Sequence, residues 1–416
     1  MFKALISREY NLNNKSDRLD KIFIKNRIES LDLSSRHEFE SCHTANVNCC
    51  DLDPNGQRYL LSAAGNGNIF IHDLHTPPSS SSSPRIFKVV SKIDATNEDR
   101  HYFSVGSIQW YPHDTGIFTS SGREKLLKLW DSNNLKVVTQ FTFEECVNCH
   151  KMAGFKPIIA VGSDSDKIQL VDITSGSFSH KLTGHSQRVV LDLYWSASNN
   201  HHLYSAGKDG HIILWDIRRS KSCLLKFDKN NTRFNDKASP NPNGRAHDGV
   251  VNSILLLQDG LHLLSFGTDN NVRLWDSQSG KNLLCNYGMI ANDSKVGLRM
   301  ACCDRYAFVP NSENVTILDV FNGTQIKTLQ GHFKQVNCCL FKSDQYELIT
   351  GARDRNILLW DAFSHDDDDD GDADDDRKKR LKSVRNAPEV KRNIRDLNND
   401  VGFNRFSEDN WSDVDE

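Results

Sequence analysis

The stretch Leu203-Tyr204-Ser205-Ala206-Gly207-Lys208-Asp209-Gly210-His211-Ile212-Ile213-Leu214-Trp215-Asp216 decides the fold. Two apolar runs flank Asp209-Gly210, a hairpin turn signal, and the second run ends in Trp-Asp. An apolar strand ending before Asp recurs at His72-Asp73, Trp130-Asp131, Val171-Asp172, Trp275-Asp276, Leu318-Asp319 and Trp360-Asp361. From Asp73 onward, successive Asp positions lie 58, 41, 44, 60, 43 and 42 residues apart. Seven copies of one β unit at a near-constant period must stack on one another, because one unit alone cannot bury its apolar faces.

The repeats also share polar residues in register. Asp209, Asp269 and Asp354 each lie six residues before a Trp (Trp215, Trp275, Trp360). A hydroxyl stands four residues earlier again (Ser205, Ser265, Thr350), and a His lies upstream of each set (His185, His247, His332). An indole N–H and a hydroxyl need partners when buried, and imidazole with carboxylate can complete the chain. A period of about 40–45 residues with a Trp-Asp mark is the signature of the WD40 β-propeller blade. The expected fold is therefore all-β, a seven-bladed WD40 propeller. Repeat two keeps His101, Ser120 and Trp130 with Glu124 in place of Asp. Repeat one keeps His43 and Ser62, with Asn66 and His72 in the other two places. Repeats three and six lack the set, but their strands still place them as blades. The trio resembles a nucleophilic triad, yet a triad belongs to one site and these recur at one spacing beside a Trp. The reading is structural tetrads, no catalytic residue and no enzyme.

The 416 residues carry a net charge of −4, so no global basic field argues for direct nucleic-acid binding. No run of about 18 apolar residues marks a membrane span. Eleven cysteines include the adjacent pairs Cys49-Cys50, Cys302-Cys303 and Cys338-Cys339, which suit reduced thiols better than a disulfide framework. The first and last pairs follow Val47-Asn48 and Val336-Asn337, and one thiol of each should face each side of its sheet. Cys146-x-x-Cys149-His150 lacks a second ligand pair at finger spacing, so neither a metal nor another cofactor is expected.

Asp366 to Asp370 follow the last Trp-Asp so closely that no outer strand fits there. The spare β material lies at the other end, so residues 28–39 are expected to supply the strand that closes the ring. The propeller then spans 28–363. Residues 1–27 form a short helical extension with Phe2, Leu5 and Ile6 in one amphipathic piece and Leu19, Ile22 and Phe23 in a second. Residues 364–416 form a disordered tail, acidic, then basic over Arg377 to Lys382, then acidic again. That basic cluster reads either as a nuclear import signal or as part of a charge-balanced tail. Two wide repeats hold polar insertions, one with Ser79 to Ser83 and one near Asp228 to Arg245.

Several stretches are more specific than a generic repeat. Trp110-Tyr111-Pro112-His113-Asp114-Thr115-Gly116, Gly260-Leu261-His262-Leu263-Leu264, Gly267-Thr268-Asp269-Asn270, Asn286-Tyr287-Gly288 and Glu408-Asp409-Asn410-Trp411-Ser412 resemble the Cockayne syndrome group A family. The serine run, the poly-Asp run and the basic stretch depart from that family's pattern. The resemblance implies a nuclear substrate receptor of a cullin-4 RING ubiquitin ligase, acting in transcription-coupled nucleotide excision repair. It implies docking on the ligase's damaged-DNA-binding adaptor, which links the receptor to cullin-4 and the RING subunit. The implied substrates are the Cockayne syndrome group B ATPase and stalled RNA polymerase II machinery. Carried onto this chain, the docking elements are the helical segment 1–27 and the Trp-Asp-x-Arg box Trp215-Asp216-Ile217-Arg218. Arg218 is the distinguishing residue, either as an interface contact or as an ion pair with Asp216. The alternative function is a generic WD40 scaffold in RNA processing or signalling.

Overall fold

A computed structural model describes residues 13–75, 85–186, 189–219, 222–232 and 244–362, and for residues 13–20 the helical backbone alone. Seven antiparallel sheets follow one another along the chain, and their first strands line a central channel. These inner strands are Val47–Leu52, Val105–Trp110, Val147–Met152, Val190–Trp195, Val251–Leu256, Ala301–Cys303 and Val336–Lys342. Each blade then adds its strands outward in sequence order, except that the seventh takes its outermost strand from the start of the chain. Repeats three and six are complete four-stranded blades despite their missing Trp. The fold is the seven-bladed propeller that the period predicts. The fifth blade has three strands, with a single bridge from Trp275 to Asn282 where a fourth would lie.

The apolar runs are explained by position in the stack. A middle strand lies between two neighbouring blades, so both its faces are covered. Ile212–Asp216 and Ile357–Asp361 are buried at every position, whereas the outer strand Ser177–Thr183 buries only Leu182. Trp215 packs in one cluster with Cys149, Leu170 and Leu193, side chains from blades three and four. Cys49 faces the cluster shared with blade two, and Cys50 faces Cys338 and the seventh blade. All eleven cysteines are free thiols.

Six of the seven inner strands shift register one residue after their first Val, at Asn48, Gly106, Asn148, Leu191, Asn252 and Asn337. A β-bulge re-aims the side chain of its extra residue. Here four of the bulge residues are Asn, and each amide bonds across to the following blade. Asn48 donates to the Val105 carbonyl at 2.9 Å and Asn337 to that of Val47 at 2.7 Å. Asn148 donates to Val190 and Asn252 to Val296. These contacts stitch the inner ring.

The ring closes through a shorter strand than expected. Residues 28 and 29 end a helix, Asn13–Glu29, and only Asp32–Leu33 pairs with the last strand, Leu33 opposite Trp360. His37–Phe39 instead pairs in parallel with Arg85–Phe87 on the first blade. The helix therefore crosses the expected boundary at residue 28, because Ile24, Ile28 and Leu31 pack against Trp360, Leu348 and Tyr306. Ser34 Oγ donates to the Asp361 carboxylate at 2.6 Å, and Arg27 donates to the Ala362 carbonyl at 2.5 Å. Leu31 is fully buried at this seam. Leu31→Ala should destabilise the whole propeller by about 2–5 kcal/mol. A single cooperative melt at lower temperature is the expected readout; an unchanged melt would show that the seam does not hold the ring.

Candidate functional site

The predicted tetrads are assembled in three blades. His185 Nδ1 meets Asp209 at 3.0 Å, its Nε2 meets Ser205 Oγ at 2.7 Å, and Trp215 Nε1 donates to Ser205 Oγ at 2.8 Å. In blade five the corresponding distances are 2.8 Å (His247–Asp269), 2.7 Å (His247–Ser265) and 2.8 Å (Trp275–Ser265). In blade seven they are 2.8 Å (His332–Asp354), 2.8 Å (His332–Thr350) and 2.9 Å (Trp360–Thr350). Blade two makes the same chain with Glu124, which pairs with His101, and Trp130 donates to Ser120. A Cβ on Gly184 would come within 2.7 Å of the Trp215 ring, which explains the glycine before His185.

Ser205, Ser265 and Thr350 are fully buried, and each hydroxyl accepts an indole bond. Such a hydroxyl clamps two strands and a loop and is shielded from any substrate. Burial opposes ionisation of Asp209, but the His185 hydrogen bond outweighs it and holds the carboxyl down to about 2. Glu124 is held to about 2 in the same way by His101.

Blade one departs from this pattern. Asn66 reaches Thr44 and not His43, so no acid completes the chain. His43 Nε2 meets Ser62 Oγ at 2.8 Å, and His72 takes the indole's place at 3.2 Å from the same hydroxyl. The Nδ1 atoms of both imidazoles are buried without a partner. The donor atoms of Cys42, His43 and His72 lie within 4.8 Å of one another, which makes this, among the described residues, a group whose chemistry could hold a soft metal ion. Ser62, bonded to both imidazoles, already connects them without one. Cys146 and Cys149 are not brought together as ligands. Cys146 Sγ contacts the Arg123 carbonyl, and His150 is held by Thr119 and Ser121.

The expected docking residues divide. Phe2, Leu5 and Ile6 lie outside the described residues, and Leu19 falls in the part of the helix described by backbone alone. Ile22 and Phe23 are about half exposed, 47% and 51%, and Phe23 meets Tyr346 edge-on. The Arg218 guanidinium is bidentate on Asp216, at 3.0 and 2.9 Å, and its side chain remains 57% exposed. The ion-pair reading of Arg218 is met, on a side chain that stays exposed. The pair also recurs by other routes, since Arg58 holds Asp73 and Arg305 holds Asp319. Sequence spacing could not find these, because the arginines come from a different loop. The Asp after the third strand has a further shared role. Asp73, Asp131, Asp172, Asp216, Asp276 and Asp319 each accept the backbone N–H two residues on, turning the chain toward the outer strand. The helix and Arg218 lie on the same face, the one opposite the tetrad loops.

Burial drives His43 down to about 3, and it drives His72 down to about 4 against the opposing pull of Glu40. Burial also holds His150 well below its ordinary value. A base whose folded value is depressed takes up its proton in the unfolded chain first. Stability is then full above the unfolded value near 6.5 and falls as pH drops toward the folded values. The melting temperature should decline steadily from pH 7 to pH 5; a flat profile there would contradict neutral buried imidazoles. The tetrad carboxylates are also depressed, so their contribution is lost at lower pH, from about 4 downward.

The comparisons with known proteins agree with this architecture. Residues 34–73, 176–216, 241–276 and 323–361 match the family described as WD domain, G-beta repeat. These are blades one, four, five and seven. The WD repeat-containing protein ATCSA-1 of Arabidopsis thaliana is 30% identical over 86% of this chain and 95% of its own length. Shorter similarities include Autophagy-related protein 16 of the same plant, 30% identical over 47% of this chain and 35% of its own length. Radiation-sensitive protein 28 of Saccharomyces cerevisiae is 21% identical over 42% of this chain and 38% of its own length. With the tetrads, the seven blades and a relative matched almost end to end, the chain belongs to the WD40-repeat propeller proteins, in the family of ATCSA-1.

Proposed function

We propose that this protein is the substrate receptor of a cullin-4 RING ubiquitin ligase in transcription-coupled nucleotide excision repair. It binds proteins, performs no catalysis of its own and works in the nucleus. The observation that carries the reading is the near full-length similarity to ATCSA-1, together with the Cockayne syndrome group A motifs. The geometry is compatible with it. The half-exposed Ile22 and Phe23 and the exposed Arg218 share one face, where a large adaptor can meet all three. The adaptor is the damaged-DNA-binding subunit, which brings cullin-4 and the RING subunit. The opposite face is left for substrate, of which the group B ATPase and stalled RNA polymerase II machinery are the proposed examples. The generic scaffold is the second reading, favoured by half-length similarities to relatives whose names point to autophagy and kinase binding.

Affinity purification of the full chain should return cullin-4 and the adaptor; their absence from a purification that retains other partners favours the scaffold. Ile22→Asp should weaken adaptor binding by about 2 kcal/mol, as a buried interface anchor would. The propeller's own stability should move by no more than about 0.5 kcal/mol. Arg218→Ala separates its two roles. Weaker adaptor binding with an unchanged melting temperature assigns it to the interface; a lowered melt with unchanged affinity assigns it to the Asp216 pair alone.

A further inference from the structure

The chain has a net charge of −4, but its cations are not evenly spread. On the tetrad face the channel mouth is ringed by Arg123, Lys208, Lys295, Lys334, Arg353 and Arg355. Two carboxylates, Asp164 and Asp293, stand at the same rim, and Asp164 is hydrogen-bonded to Asn148 at 2.8 Å. Deeper in the channel, Lys151 and Arg299 are joined by Asp51 and Asp192. Those two acids accept backbone amides of the neighbouring blades, from Trp110 and Ile254. Among the described residues, Lys295, Lys334, Arg353 and Arg355 are paired with no carboxylate, and Arg353 is half-buried with burial alone acting on it.

Like charges converging on a concave mouth repel one another unless an anion enters, and low-dielectric walls focus the field there. The mouth also has an apolar edge. Tyr102 and Phe103 are 65% and 62% exposed and immediately precede Ser104, which lines the mouth. A cationic ring beside two exposed aromatics suits a chain of carboxylates carrying an apolar side chain. The cations line a channel mouth, a concave site that suits a short peptide better than the extended groove that tracks a phosphate backbone.

We propose that this mouth binds an acidic linear segment of a partner protein, its Asp and Glu side chains on Lys334, Arg353 and Arg355 and an apolar neighbour on Tyr102 and Phe103. Resting on the receptor reading above, that segment belongs to the substrate, because adaptor docking engages the other face. The chain itself carries a competitor, the run from Asp366 to Asp370 and on to Asp376.

The test is fluorescence anisotropy with the full chain and a labelled twelve-residue peptide of Asp and Glu containing one Phe. Saturable binding that weakens with salt is expected, as is a loss of about tenfold or more in Lys334→Glu/Arg355→Glu. Both residues are exposed, so the variant should melt like the parent. Ile22→Asp should bind the peptide normally. Binding unaffected by the double variant, or tighter binding of a single-stranded oligonucleotide of equal charge, overturns the proposal. So does peptide binding that appears only after the aspartates of 366–376 are changed to Asn, because the tail then fills the mouth in cis. Absence of binding in either form overturns it as well. A failure here with cullin-4 and adaptor still recovered leaves the receptor reading standing; loss of adaptor with peptide binding intact removes only the substrate assignment.

Discussion

The fold depends on one short piece of β pairing. Asp32 and Leu33 sit beside Asp361 and Trp360, so the two ends of the described propeller share a sheet. A ring of sheets without such a seam would expose two open edges, each a template for pairing with another chain. Two residues of ladder are too few to hold against thermal motion by hydrogen bonds alone. Their stability comes from what surrounds them: the last turns of the helix, the buried Ile28 and Leu31, and the Ser34–Asp361 bond. The helix is therefore both a docking candidate and the wedge that seats the closing strand.

Within the ring, two polar devices divide the work. At the tetrad face, His, Ser or Thr, Asp or Glu, and Trp tie a loop to the second and third strands of its own blade. At the inner strand, the bulged Asn residues tie a blade to the next one. Both satisfy buried polar groups that would otherwise cost stability. Blades three and six lack the tetrad and blade six lacks the bulge, yet each keeps four strands because apolar stacking from both sides is retained.

The two faces differ in chemistry. One carries the helix and the Arg–Asp pairs; the other carries the tetrad loops and a cationic channel mouth. A disc with unlike faces is a natural bridge between two proteins, which accords with the proposed receptor role. The channel itself contributes little open chemistry, since its acids are engaged by backbone amides.

The repeat period, the three full tetrads and the variant in blade two were all legible in the sequence, because each depends on spacing within about thirty residues and on side chains whose partners come from the same blade. The missing fourth strand of the seventh blade was legible too, since the poly-Asp run leaves no room for it. What the sequence did not reveal involves partners from distant segments. The helical segment was expected to end at residue 27, but the helix runs to Glu29, and Ile24 and Ile28 are covered by residues around 306–360. Asn66 had the right place in the register and the wrong reach. Arg218 looked singular because only one repeat has Arg at that offset, whereas Arg58 and Arg305 make the same pair from another loop. The Val-Asn dipeptides were visible, but their bulges and crossing bonds were not. Sequence determined which residues recur; only the closed ring decided which of them meet, because closure brings together side chains hundreds of residues apart.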